Sequence, residues 1–157
     1  MTYQHWLDHS GRPYGFIMSP ASIAIARENE EILYIIFDNR VTSMDTDIFR
    51  LSIAPNIEDY PPSVVFRVNS LVDAAEIIRN FIIEKEVEFW GERCSFTNLL
   101  LLSIFGDPLY VPKNFPNNIR DINDLGLKTP NDTPINAAYR AQAIMKVHNE
   151  YKQSDLF

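Results

Sequence analysis

The run Ile32-Leu33-Tyr34-Ile35-Ile36-Phe37 limits what this chain can fold into more than any other six residues. It shows no polar alternation, so both of its faces must be covered. A short, continuous apolar run rich in β-branched residues is the pattern of a strand buried between two layers. Just upstream, Ala21-Ser22-Ile23-Ala24-Ile25-Ala26 alternates small with apolar residues, and Glu28-Asn29-Glu30 separates the two runs. The pair reads as a hairpin inside a sheet.

A sheet covered on both faces needs helices. Ser70 opens a strong one, with Asp73 at the capping-box position. Leu71, Ala74, Ala75, Ile77, Ile78, Phe81 and Ile82 then recur at helical spacing. Thr97 is placed to cap a compact helix over residues 98–105, stopped by Gly106 and Pro108. Thr133 is placed to cap the last helix, with Pro134 at its first position and its end near Tyr151. Residues 3–8 read as a short strand ending in a loop that contains Ser10, Gly11, Pro13 and Gly15. Residues 64–68 and 87–90 read as further strands, 107–118 as a loop, and 119–125 as a short helix. Pro55, Pro61 and Pro62 forbid a long helix in the stretch 39–68. The expected architecture is one α/β domain, residues 1–151, with a mixed sheet flanked by helices and a frayed tail at 152–157.

Composition narrows the class. The chain has 157 residues, 46% of them hydrophobic, which is enough for one buried core. No apolar run reaches bilayer-spanning length, and the start, Met1-Thr2-Tyr3-Gln4, lacks the pattern of a signal peptide. The single cysteine, Cys94, excludes an internal disulfide and makes a cytoplasmic location the default. The formal net charge is −7, with 21 acidic residues against 14 basic ones. Such a field repels nucleic acid unless metal ions reverse its sign locally.

Two segments carry the functional reading. Phe89-Trp90-Gly91-Glu92-Arg93-Cys94-Ser95-Phe96-Thr97-Asn98 and Thr133-Pro134-Ile135-Asn136-Ala137-Ala138-Tyr139-Arg140 resemble motifs of the DEDD-type 3′–5′ exonucleases of the ribonuclease H-like fold. The nearest flavour is the exonuclease VIII and phage DexA-like group. The resemblance spans nearly the whole chain, and the middle looks shortened. It implies a ribonuclease H-like α/β domain and, in an active member, four carboxylates around two divalent metals. It also implies a histidine base before the last helix. Here those positions fall at Asp8, Ser10, Thr97, Thr133 and Ala138. Only Asp8 keeps the family's residue. Asn118-Ile119-Arg120-Asp121 resembles the short helix beside the family's site.

One carboxylate cannot hold a magnesium pair, which needs several oxygen ligands in fixed geometry. The expected protein is a pseudo-exonuclease without a cofactor, acting by binding. The acidic balance favours a host protein as partner, and the resemblance points to a phage or prophage interaction protein. Two alternatives stand beside it. One is an active magnesium- or manganese-dependent exonuclease with a rearranged site, its ligands supplied by Asp121, Asp124 or Asp132. The other is a single-stranded nucleic-acid-binding module using Arg93, Arg120 and Arg140.

Each residue also has a plainer role. Asp8 fits a vestigial metal ligand or a polar strand-end residue capping the Ser10-Gly11 loop, and the cap is preferred. Thr97 and Thr133 fit helix caps, and Ala138 fits a packing position. His5, Asp8 and His9 lack an evident fourth metal ligand. Cys94 reads as an inert buried thiol, and Trp90 and Phe96 as core.

Overall fold

The computed structural model describes residues 2–14, 17–38 and 56–154. Residues 39–55, where the middle of the chain looked shortened, lie outside the described residues, as do Gly15 and the last three positions. The described chain is a single α/β domain built on a six-stranded mixed sheet of order β4-β3-β2-β1-β5-β6. The strands are β1 (Tyr3–Tyr14), β2 (Ile17–Arg27), β3 (Ile32–Phe37), β4 (Val64–Val68), β5 (Val87–Gly91) and β6 (Arg120–Asp121). Strands β1, β2 and β3 run antiparallel in sequence. β1–β5, β3–β4 and β5–β6 pair in parallel. Helices α1 (Leu71–Phe81), α2 (Ser95–Phe105) and α3 (Ala137–Ser154) cover the sheet.

The double coverage of β3 is real, and all six of its residues are buried. Leu7, Ile23, Ile25, Leu33, Ile35 and Phe37 point toward α1 and α2, where they meet Ala74, Ile78, Leu100 and Ile104. Trp6, Ala24, Ala26, Ile32, Tyr34 and Ile36 point the other way, toward Ala137, Ala138, Ala141, Ile144 and Met145 of α3. Small residues on both sides of that second layer let the helix lie close to the strand. The period-2 alternation of a strand thus sorts one sequence into two cores.

Several expectations change. The loop after Asp8 does not exist as such. β1 continues to Tyr14 and pairs with β2 as far as Tyr14↔Ile17, with the register shifting between Ser10 and Gly11. Pro20 lies opposite Gly11 at that irregularity, a place where a strand tolerates a residue lacking an N–H. The short helix expected at 119–125 is the two-residue strand β6 followed by a 3-10 turn, Ile122–Leu125. Helix α3 continues through Ser154, three residues past Tyr151. Ser70 does cap α1, accepting from the Asp73 amide at 3.1 Å. Phe96 is half exposed rather than core, whereas Trp90 is buried.

Near its C-terminal end, α3 is anchored by a buried histidine. The Trp6 indole N–H donates to His148 Nδ1 at 3.0 Å, and the His148 ring lies 4.2 Å, centroid to centroid, from Trp90. Burial, helped by the Lys152 cation, pushes His148 down to about 4, so the ring is neutral and can accept that proton at pH 7. His148→Ala orphans the indole N–H and opens a gap between two tryptophans. It is expected to cost about 2–4 kcal/mol in urea unfolding. A cost below about 0.5 kcal/mol would show that the contact does not anchor the helix.

Candidate functional site

The positions singled out by sequence gather unevenly around β1. Asp8 pairs with Ala24 in mid-strand, is buried, and shares the orientation of Trp6, facing α3. It is not a loop cap. Ser10 lies on the same side, with its hydroxyl 2.5 Å from that of Ser22. Ala138 is fully buried in that layer, on the first turn of α3. Thr97 approaches from the opposite face, where its hydroxyl lies 2.7 Å from His9 Nδ1. Thr133 lines a cavity of about 340 Å³ with Tyr139, Gln142 and Lys146, along the outward side of α3.

Neither threonine is a helix cap. Helix α2 begins at Ser95, two residues before Thr97, and Cys94 at its cap position makes no side-chain cap bond. Thr97 is therefore free to serve His9. Thr133 Oγ1 donates to the Pro130 carbonyl at 2.6 Å, closing a turn. The cap of α3 is Asn136, whose Oδ1 accepts from the amides of Ala138 at 2.9 Å and Tyr139 at 3.3 Å. Its Nδ2 donates to the Tyr34 hydroxyl at 3.1 Å and to the Asn56 carbonyl at 2.8 Å. Tyr34 in turn donates to the Ile57 carbonyl at 2.8 Å and interacts with Ser22. A neutral hydrogen-bonded chain thus runs from Ser10 through Ser22 and Tyr34 to the start of α3. Asn136 was missed from sequence, although asparagine before an Ala-Ala pair is as good a cap signal as Thr133.

Asp8 is the exception to this neutrality. Its Oδ2 is buried with no hydrogen-bond partner. Burial, with a smaller push from the nearby Glu92 carboxylate, raises its carboxyl to about 7, against the pull of the Arg140 guanidinium and the His9 amide. His9, on the other face, is pushed down to about 4 by burial and by the same Arg140 charge. His5 is also held below its ordinary value by burial. His5 and His9 share one face of the strand and Asp8 the other, so the three form no common ligand set.

The described residues around Asp8 do not supply the several clustered oxygen ligands that a divalent metal pair needs. Asp8 is pushed up toward neutrality by burial, with the Arg140 cation and the Glu92 carboxylate both within electrostatic reach, and Glu92 is engaged by the amide and hydroxyl of Thr129. Among the described residues no group of three or more His, Cys, Asp or Glu could hold a metal ion. Asp121 and Asp124 line a cavity of about 500 Å³ with Trp90, Asn98 and Arg120, while Asp132 lies in the cavity of Thr133. Asp121 accepts from the Asn123 amide at 2.9 Å and so shapes its own turn. Cys94 is buried, with its thiol pushed up to about 11 by burial and by Asp121. It packs against Gly91, where an added Cβ would meet Cys94 Cβ at 2.8 Å.

The three arginines lie at the same end of the sheet. Arg93 is exposed and follows β5 with φ 49°, Arg120 opens β6 with its guanidinium 5.7 Å from the Trp90 ring centroid, and Arg140 is exposed on α3. Arg120 is partly offset by Glu88, 3.9 Å away.

No family model and no curated protein sequence matches the chain. Among solved structures it is similar to E. coli exonuclease I in complex with a dT13 oligonucleotide. The TM-score is 0.51 and the identity 14%, with all of this chain and 43% of that chain covered. The chain thus spans less than half the length of that protein. The likeness shows the fold, which is exonuclease-like, of the ribonuclease H-like class.

Raising a buried carboxyl to about 7 carries a pH dependence. Between about pH 4 and 7 the folded state holds a proton on Asp8 that the unfolded chain has lost. Stability therefore falls as pH rises through that window and stays reduced above it. Asp8→Asn removes the charge at nearly constant volume. It is expected to stabilise the protein by on the order of 2–4 kcal/mol at pH 8 and by almost nothing at pH 4. Paired thermal melts of the two proteins at each pH cancel the opposing contribution of the histidines. A loss of stability at pH 8 would mean that ionised Asp8 has a favourable partner.

Proposed function

We propose that this protein is a catalytically inactive relative of the DEDD exonucleases that acts by binding. The observation carrying this reading is the fate of the five positions. Ser10 is engaged with Ser22, Thr97 with His9, Thr133 with Pro130 and Ala138 with the core. Asp8 remains, with Arg140 and Glu92 within electrostatic reach, and Glu92 is held by Thr129. Metal-dependent phosphodiester hydrolysis needs clustered negative charge to seat its ions. This site replaces that charge with neutral hydrogen bonds and packing. The missing carboxylates also remove the repulsion that an unfilled site would suffer.

The partner in this reading is a protein, and the resemblance to the phage-associated exonuclease group makes a host protein the proposed target. The net charge of −7 supports a protein over a phosphate backbone. A second reading, single-strand nucleic-acid binding, is favoured by one observation: Arg93, Arg120 and Arg140 stand at the same end of the sheet.

One preparation separates the readings. Purified protein incubated with 3′-labelled single-stranded DNA and RNA, in magnesium and in manganese, is expected to release no nucleotide above buffer. Gel shifts of the same strands at low salt are expected to show no complex. Metal-dependent trimming abolished by Asp8→Asn would overturn the proposal. A complex that weakens steeply with salt would instead support the second reading.

A further inference from the structure

Helix α2 carries large apolar side chains on its outward side as well as its inward one, which is unusual for a helix at a surface. Its sequence, Ser95-Phe96-Thr97-Asn98-Leu99-Leu100-Leu101-Leu102-Ser103-Ile104-Phe105, contains no charged residue. Leu100, Leu101, Ile104 and Phe105 face the core. Phe96 is nevertheless 51% exposed, Leu99 50% and Leu102 39%, and the following turn adds Leu109 at 90% and Tyr110 at 67%. Folding therefore leaves these five large apolar side chains substantially in water.

We propose that this face is the interface of a symmetric homodimer. Two features favour a second copy as the occupant. The first is charge. A chain carrying −7 repels its own copies wherever acidic surfaces meet. An uncharged helix can meet its own image without that penalty, and antiparallel pairing sets the two helix dipoles in opposition. The second is spacing. Phe96 and Leu102 each lie three residues from Leu99 on the helix. About a two-fold axis at Leu99, each Phe96 meets the Leu102 of the other copy, as an isologous interface requires. Leu109 and Tyr110 extend the patch beyond the helix. The five side chains expose on the order of 500 Å². Two copies together would bury roughly 1,000 Å², which is the lower end for a specific interface. The dimer is therefore of modest affinity, on the order of micromolar. This inference concerns assembly and stands apart from the question of catalysis.

Sedimentation equilibrium over about 1–300 μM tests it. The wild-type protein should move from the 18.1 kDa chain mass toward twice that value as concentration rises. Leu99→Lys and Leu109→Lys, at exposed positions, should each weaken dimerisation at least tenfold while keeping the wild-type circular dichroism spectrum. A wild-type monomer across the range overturns the proposal, as does a dimer unaffected by both folded variants. Should a lysine variant fail to fold, Leu99→Cys decides the matter, because the one native thiol, Cys94, is buried. A short bismaleimide should link two copies through the new cysteine, and no cross-linked dimer at 300 μM would overturn the proposal.

Discussion

The hydroxyl of Tyr34 sets the geometry of one whole face of this protein. It is buried on β3, in a layer that is otherwise largely alkyl. Burying a hydroxyl without a partner costs a few kcal/mol. Its partners are the Ile57 carbonyl and Asn136. Asn136 also caps α3, so satisfying the tyrosine fixes where that helix begins. The rest of α3 follows from that origin. Ala138 lands on the alanines of β2, and Arg140 comes near Asp8. Twelve residues after the cap, about 18 Å along the helix, His148 meets Trp6 and Trp90.

The same link explains why the end of β1 is electrostatically quiet. Ser10, Ser22, Tyr34 and Asn136 exchange hydrogen bonds without a formal charge among them. A carboxylate added to such a layer would need a counter-ion. The carboxylate buried beside that layer, Asp8, shows the consequence: burial, with Glu92 nearby, pushes it up to about 7. Arg140 stands where an incoming cation would meet repulsion. The exonuclease-like fold and this neutral interior together form the physical basis of the binding role proposed above.

Much of the fold was legible because burial imposes periodicity. The unbroken apolar run of β3, the β2–β3 turn and the Ser70 cap of α1 all left clear signals. Where the structure departs from those signals, long-range pairing overrides local turn chemistry. Gly11 and Pro13 look like loop residues, yet pairing with β2 keeps them extended. Thr97 looks like a cap, yet its hydroxyl faces a histidine 88 positions away in sequence. At the candidate site, the strand period placed Asp8 and Ser10 on one side. No local pattern revealed that Thr97 would come from the other, or that Thr133 would face outward. The unpaired Oδ2 of Asp8 and the role of Tyr34 depend on contacts across the fold, which sequence spacing does not encode.

The proposed inactive role requires that the end of β1 have no selective affinity for divalent metal. Manganese titration followed by amide NMR tests it most directly, because the ion's unpaired electrons broaden nearby signals. The account predicts that the amides of Asp8, Ser10, Thr97 and Ala138 broaden no more than surface amides do. Selective loss of those four signals at low manganese, reversed by magnesium, would contradict it.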